Sequence, residues 1–251
     1  MEERRFRILS IDFDFFQWPE RDVLRYYPDG IDVSTKLSTI VWAGYYTEAA
    51  KESGIQDVRF DQENFDELLK LLKKQRYATP AMICNSHRYI YDFVHECVPR
   101  LDTPISIVNV DMHHDMFNDC EEVDCGNWVG HLKNEYQDMK LYWITKPVSL
   151  EAYGITEMAE KEFKDKVLYD LSTIMDTRFD MVFLCRSDPW LPPHLDKYFT
   201  VLANRLCSQF RSVYGDPRVL EPRNYMDIVK EYEKVSDSVK QLNKLVREGK
   251  I

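Results

Sequence analysis

The stretch that most limits how this chain can fold is Asn109-Val110-Asp111-Met112-His113-His114-Asp115-Met116-Phe117. Before it runs Ile105-Ser106-Ile107-Val108, apolar and β-branched, which reads as a buried strand of a parallel sheet. Just past its end come Asp111, His113 and Asp115, each two residues from the next. In extended or tightly turned backbone, alternate side chains point the same way, so one imidazole and two carboxylates converge at a strand's carboxyl end. Open α/β sheets form their ligand crevices there. Carboxylate oxygen with imidazole suits Mn²⁺, Zn²⁺ or Fe²⁺. A plainer reading is a polar loop capping the next helix.

The pattern repeats along the chain. Phe6-Arg7-Ile8-Leu9-Ser10-Ile11 is a short strand delivering Asp12 and Asp14, with Phe13 and Phe15 turned to the core between them. Ala81-Met82-Ile83-Cys84 is another, ending in Asn85-Ser86-His87 at the start of a helix. Further strands are expected over 140–145 and 179–185, the last ending in Arg186-Ser187-Asp188-Pro189-Trp190, a proline-stiffened loop. Residues 22–30 and 118–124 read as loops, and Cys125–His131 as tight backbone bringing Asn127 and His131 near the site. Helical spacing covers 33–53, 65–77, the stretch through His95, most of 149–175, 195–210 and 226–246. The last is amphipathic and charged, a surface or oligomer helix.

Strands alternating with helices, and no internal break in composition, predict a three-layer α/β/α sandwich with a mainly parallel sheet, one domain over residues 1–251. A formal charge of −10 argues against nonspecific binding to nucleic acid or anionic membranes; it is compatible with a cationic substrate, though taken alone it reads first as a solubility feature. The first residues show no signal-peptide apolar region, no run is long enough to span a bilayer, and the six cysteines have no zinc-ribbon or C-x-x-C spacing. A cytoplasmic protein with reduced thiols is expected; only the Cys120/Cys125 pair, flanking an acidic loop, offers a second reading as a zinc or disulfide pair.

Taken together, Asp12, Asp14, His87, Asp111, His113 and Asp115 are too many ligands for one small structural site, and suit two divalent ions sharing carboxylates. Two ions about 3.5–4 Å apart can lower the pKa of a water between them and present it as a nucleophile. Without ions, so many acids in one crevice repel and some stay protonated.

Asp111-x-His113-x-Asp115 resembles the D-x-H-x-D motif of the arginase, agmatinase and histone-deacetylase (ureohydrolase) superfamily, and Ser10-x-Asp12-x-Asp14 its S-x-D-x-D motif. Asp14-Phe15-Phe16 and Asn127-Trp128 are similar to a branch that contains the peptide arginases of ribosomal peptide natural-product pathways. The order of the two motifs is the reverse of that in ordinary arginases, as if circularly permuted, and Asn85-Ser86 replace a glycine-rich approach to the histidine. The resemblance implies an arginase/deacetylase-like fold and a hydrolase acting on linear amidines. Two Mn²⁺ per chain would support conversion of arginine in a precursor peptide to ornithine, with release of urea.

Carried over, Asp111 and Asp12 bridge the ions, His87 and Asp115 complete one, and Asp14 with His113 the other. Asp188 pairs with the substrate guanidinium, His114 or His131 moves the proton, and Asn127 and Trp190 line the substrate cleft. Agmatine, another small guanidino compound or an acyl-amine is a rival substrate. A noncatalytic metal-binding protein on the same fold is a second rival reading, and phosphoryl transfer on Asp12-x-Asp14 a third.

Overall fold

The computed structural model describes residues 4–27, 34–117, 121–153 and 167–247. One seven-stranded sheet organises them. Its strands are β1 (Phe6–Asp12), β4 (Ala81–Cys84), β5 (Ile105–Val110), β6 (Met139–Ile144), β7 (Val167–Leu168), β8 (Met181–Cys185) and β9 (Val213–Gly215). Their order is β7-β6-β5-β1-β8-β4-β9 and every pairing is parallel. A ribbon of two short antiparallel strands, β2 (Gln17–Trp18) and β3 (Arg59–Phe60), stands apart from it.

Alternation along the strands sends side chains to two cores. Leu9 and Ile11 of β1, Val108 and Val110 of β5, and Val182 and Leu184 of β8 face one layer. That layer is α3 (Gln62–Lys73), through Phe65, Leu68 and Leu72, and α7 (Asp196–Gln209), through Phe199, Leu202 and Leu206. Ile8, Ile107 and Phe183 face the opposite layer. There α4 (Tyr89–Cys97) supplies Ile90 and Phe93, and α5 (Trp128–Glu135) supplies Trp128, Val129 and Leu132. The expected three-layer α/β/α sandwich with a parallel sheet is therefore present.

Topology fixes where the site lies. From β1 the chain runs to β4 on one side of the sheet, then crosses to β5, which pairs with β1 on the other. Such a reversal opens a crevice at the carboxyl ends of the central strands. Ile11 pairs with Val110 in register, so Asp12 and Asp111 leave the sheet side by side.

Several local expectations need correction. The 33–53 helix is shorter: α2 spans Thr35–Gly44, capped by the Ser34 hydroxyl, and the rest is tight 3₁₀ turns ending at Gly54, whose φ of +70° a glycine adopts without strain. Within the expected 22–30 loop, Arg21–Leu24 forms a one-turn helix, α1. Residues 125–131 are not all tight loop, because Trp128 begins α5. Within the helix read over 149–175, α6 (Pro147–Tyr153) agrees at the start; among the described residues after it, Val167–Leu168 extend the sheet as β7 and Leu171–Ile174 form a 3₁₀ turn. Cys120, Gly30 and residues 154–166 lie outside the described residues. Among the described residues no disulfide forms, and no helix is long and apolar enough to cross a membrane.

Candidate metal centre

The acids of the opening strand and the acid–imidazole run of mid-chain meet at the tips of β1 and β5. Two ligand triads form, Asp12–His87–Asp111 and Asp14–Asp111–His113, all buried and with Asp111 common to both. The His87 Nδ1 lies 3.1 Å from Asp111 Oδ2, 3.1 Å from Asp115 Oδ2 and 3.3 Å from Asp12 Oδ2. The His113 Nδ1 lies 3.2 Å from Asp14 Oδ2 and 3.5 Å from Asp111 Oδ1. One Asp111 oxygen thus faces each imidazole. Asp12 sits on the His87 side, so the one carboxylate shared by the two triads is Asp111, whereas the expectation paired Asp12 with it as a second bridge. Asp115 stands beside His87.

Surrounding groups fix these side chains. The His87 Nε2 and the Ser10 hydroxyl share a 2.6 Å hydrogen bond, which leaves Nδ1 to face the carboxylates. The Trp128 indole donates to Asp115 Oδ2 at 2.6 Å. The Asn109 amide donates to Asp111 Oδ2 at 3.2 Å, and the Trp143 indole to the Asp111 carbonyl at 3.0 Å. Asp115 itself has φ +53°, a left-handed conformation uncommon for a residue with a side chain. Strain of this kind gathers at functional sites because the surroundings must enforce it.

The donor set fits divalent cations. The His87 Nδ1 and Asp14 Oδ2 are buried without a hydrogen-bond partner, although anionic oxygens crowd the first and an imidazole the second. A cation in each triad satisfies one of them, and carboxylate oxygens with imidazole nitrogen are the ligands of Mn²⁺-type ions. Buried clusters of Asp and His able to hold a metal ion are therefore a property of this structure.

Electrostatics of the metal-free cluster point the same way. Burial, with the charges of Asp12 and Asp111, pushes the Asp14 carboxyl up to about 8. Burial and the Asp111 charge raise Asp12 and Asp115. Burial works against protonated His87, but the carboxylates of Asp115, Asp111 and Asp12 outweigh it and hold its pKa well above 6.5. Burial likewise opposes ionised Asp111, yet His113 and His87 hold its carboxyl below the usual range.

These shifts set a pH dependence. Groups with a raised pKa bind their protons more tightly when folded. Asp14 therefore withdraws stability as pH climbs from 3.8 to about 8, and His87 loses its contribution above 6.5. Asp111 acts in the opposite sense, but only below pH 3.8. Chelator-treated protein is expected to melt at least about 3 °C lower at pH 8 than at pH 5.5, with Mn²⁺ closing the difference. Equal melting temperatures at the two pH values in chelator would contradict this account of the cluster.

The remaining candidates divide. Trp190 lies beside the centre, its ring 4.7 Å from that of His113 and partly open to solvent. Asp188 is fully buried and both its oxygens are taken by Arg186, at 2.5 and 3.2 Å, so it is not open to a substrate guanidinium. Asn127 turns into its own loop, accepting from the Asp124 amide and donating to the Glu122 carbonyl, so it is not aimed at the cleft. His114 is buried, its Nδ1 accepts from the Met116 amide, and burial with the His113 charge lowers it to about 4. It stays neutral near pH 7 and is a poor proton reserve. His131 lies on α5, edge-on to Tyr91 and 6.3 Å from it, with no contact to the ligands among the described residues.

Two residues to which sequence reasoning gave no site role belong to the site's surroundings. Trp128 orients Asp115, as described. Lys146, just past the tip of β6, is buried against Asp61 at 2.6 Å, donates to the Gln17 carbonyl and lies 3.9 Å over the Trp18 ring. Burial lowers it to about 8, while the Asp61 and Asp14 charges favour its protonated form. The available signal was a lysine directly after a strand end, the position already suspect in four other strands.

Comparison with family models finds no match. Comparisons with curated proteins and with solved structures find none either.

Proposed function

We propose that this chain is a dimanganese hydrolase that converts arginine side chains of a peptide to ornithine with release of urea. One observation carries the reading: the Asp111 carboxylate spans two buried ligand triads at adjacent strand tips. The motif resemblance adds the substrate class. Asp12, His87, Asp115 and Asp111 would hold one ion; Asp14, His113 and Asp111 the other. Bound there, two such ions supply Lewis acidity and a water of lowered pKa.

The chain's own groups do the rest. Ser10, Asn109 and Trp128 hold the ligands' orientation through hydrogen bonds. Trp190 offers an aromatic face beside His113, on which a planar guanidinium stacks favourably. The cationic substrate also agrees with the formal charge of −10. Cytoplasmic location goes with this reading through the scattered cysteine spacing.

The test is incubation of the Mn²⁺-loaded protein with arginine-containing peptides, followed by mass spectrometry and urea assay. The expected result is a net loss of CH₂N₂ per modified arginine, one urea for each, abolished by chelator. Urea from agmatine but not from peptides would move the substrate to small guanidino compounds. Acetate from an acyl-lysine peptide without urea would make the chain a deacylase and overturn guanidine hydrolysis.

A further inference from the structure

We propose that the C-terminal helix is a self-association element, two copies of this chain pairing antiparallel through it. The helix, α8 (Met226–Arg247), is anchored by its first turns: Val229 is buried, the Tyr232 hydroxyl donates to the Ile40 carbonyl of α2 at 3.4 Å, and Glu233 accepts from the Glu48 amide at 2.8 Å. From Asp237 onward every described side chain is exposed. Three turns of helix thus leave the body of the protein.

That projecting part is not polar all round. Val235, Val239 and Leu242 are 61%, 50% and 52% exposed. With Ile228 and Tyr232 they recur at spacings of four, three, four and three residues. A helix serving only its own globular core needs a broad stripe, whereas alternating three and four is the narrow seam of a two-helix contact. Tyr232 also reaches α2, but beyond it the seam from Val235 to Leu242 is exposed, so the protein's own body does not cover that part.

The positions beside the seam favour a second copy. Ser236, Ser238 and Asn243 flank it, and these small uncharged groups let identical sequences approach without like-charge repulsion. A foreign helix is ordinarily selected by charges at those flanks. Charge along the helix sets the direction. Asp227, Glu231 and Glu233 outnumber Lys230 in the first part, while Lys234, Lys240, Lys244 and Arg247 outnumber Asp237 in the second. Antiparallel pairing lays acidic start against basic end, and opposes the helix dipoles. In that register Tyr232 of one copy meets Leu242 of the other, and Val235 meets Val239. A contact of about two heptads is below the size of a standard stable interface, so a Kd on the order of 10 µM is expected.

Sedimentation velocity of the full chain over a concentration series tests this. The parent is expected to move from monomer to dimer in the micromolar range. Val235→Glu with Val239→Glu should abolish association while leaving the melting temperature unchanged, since both side chains are already exposed. Lys240→Glu with Lys244→Glu, and separately Asp227→Lys with Glu231→Lys, should each weaken self-association about threefold at low salt. Mixing the two charge variants should restore it. A parent that stays monomeric, or a dimer that survives the two glutamates, overturns the proposal. Failure of the mixed charge variants to recover overturns the antiparallel arrangement.

Discussion

On the proposed two-metal reading, Asp111→Asn is expected to abolish binding of both ions and, with it, all measurable hydrolysis. The reason is geometric: Asp111 is the one carboxylate that belongs to both triads, with Oδ2 3.1 Å from His87 and Oδ1 3.5 Å from His113. Asparagine keeps the shape and still accepts the His113 backbone amide, which lies 2.7 Å from Asp111 Oδ1. The fold should therefore survive. What is lost is an anionic ligand to each ion. Loss of an outer hydrogen-bonding partner costs metal affinity about 10–100-fold, and loss of a shared ligand must exceed that. Asp12→Asn is the control, because Asp12 belongs to one triad. It should leave one ion bound per chain where Asp111→Asn leaves none. Calorimetric titration with Mn²⁺, with metal counted by mass spectrometry after desalting, reads both. Two ions still bound by the Asp111 variant would remove the shared carboxylate from any account of this centre.

The contrast between those two variants was only partly legible in the chain. The strand tips were, since several apolar runs ending in acids or imidazoles within one chain point to a shared site more than to separate helix caps. That Asp12 and Asp111 stand side by side was expected from the motif resemblance and not from local pattern: it rests on β1 pairing with β5 across almost a hundred residues. Which acid bridges is a matter of side-chain direction, beyond the reach of spacing.

Asp188 shows the opposite failure. A carboxylate at a strand end looked available, but the residue two before it is Arg186. With Ser187 at φ +59° the turn folds the guanidinium back onto the acid. The R-x-D spacing was the signal, and it was outweighed by the expectation of a substrate cation. The end of the helix read over 149–175, residues 167–175, failed for a third reason. Helical spacing there competes with the demand of the sheet edge, and Val167–Leu168 go to pair with β6. Tertiary hydrogen bonding overrode a weak local preference.

The second large effect is expected at Arg223, far from any motif. Its guanidinium is buried and every face is used: Nε and Nη2 donate to Asp196 at 2.8 and 2.7 Å, Nη1 to the Asp188 carbonyl at 2.6 Å and Nη2 to the Leu191 carbonyl at 2.6 Å. Burial opposes the charge, but Asp196 and Asp188 hold the guanidinium protonated. Arg223→Leu keeps much of the volume and leaves Asp196, itself fully buried, with the backbone amide of residue 223 at 2.8 Å and, as its one nearby cation, Arg186 at 3.9 Å. Removing one partner of a buried ion pair costs about 3–5 kcal/mol, a fall of roughly 6–20 °C in melting temperature at this chain length. Arg223→Lys should recover only part of it, because an ammonium has three donors and no planar fork. The two carbonyls it releases bracket Trp190, the ring set against His113. If the proposed peptide hydrolysis holds, KM for the peptide should rise more than kcat falls at temperatures where the variant stays folded. A melting temperature within about 2 °C of the parent would mean the Asp188–Leu191 loop is held by its prolines and not by this arginine.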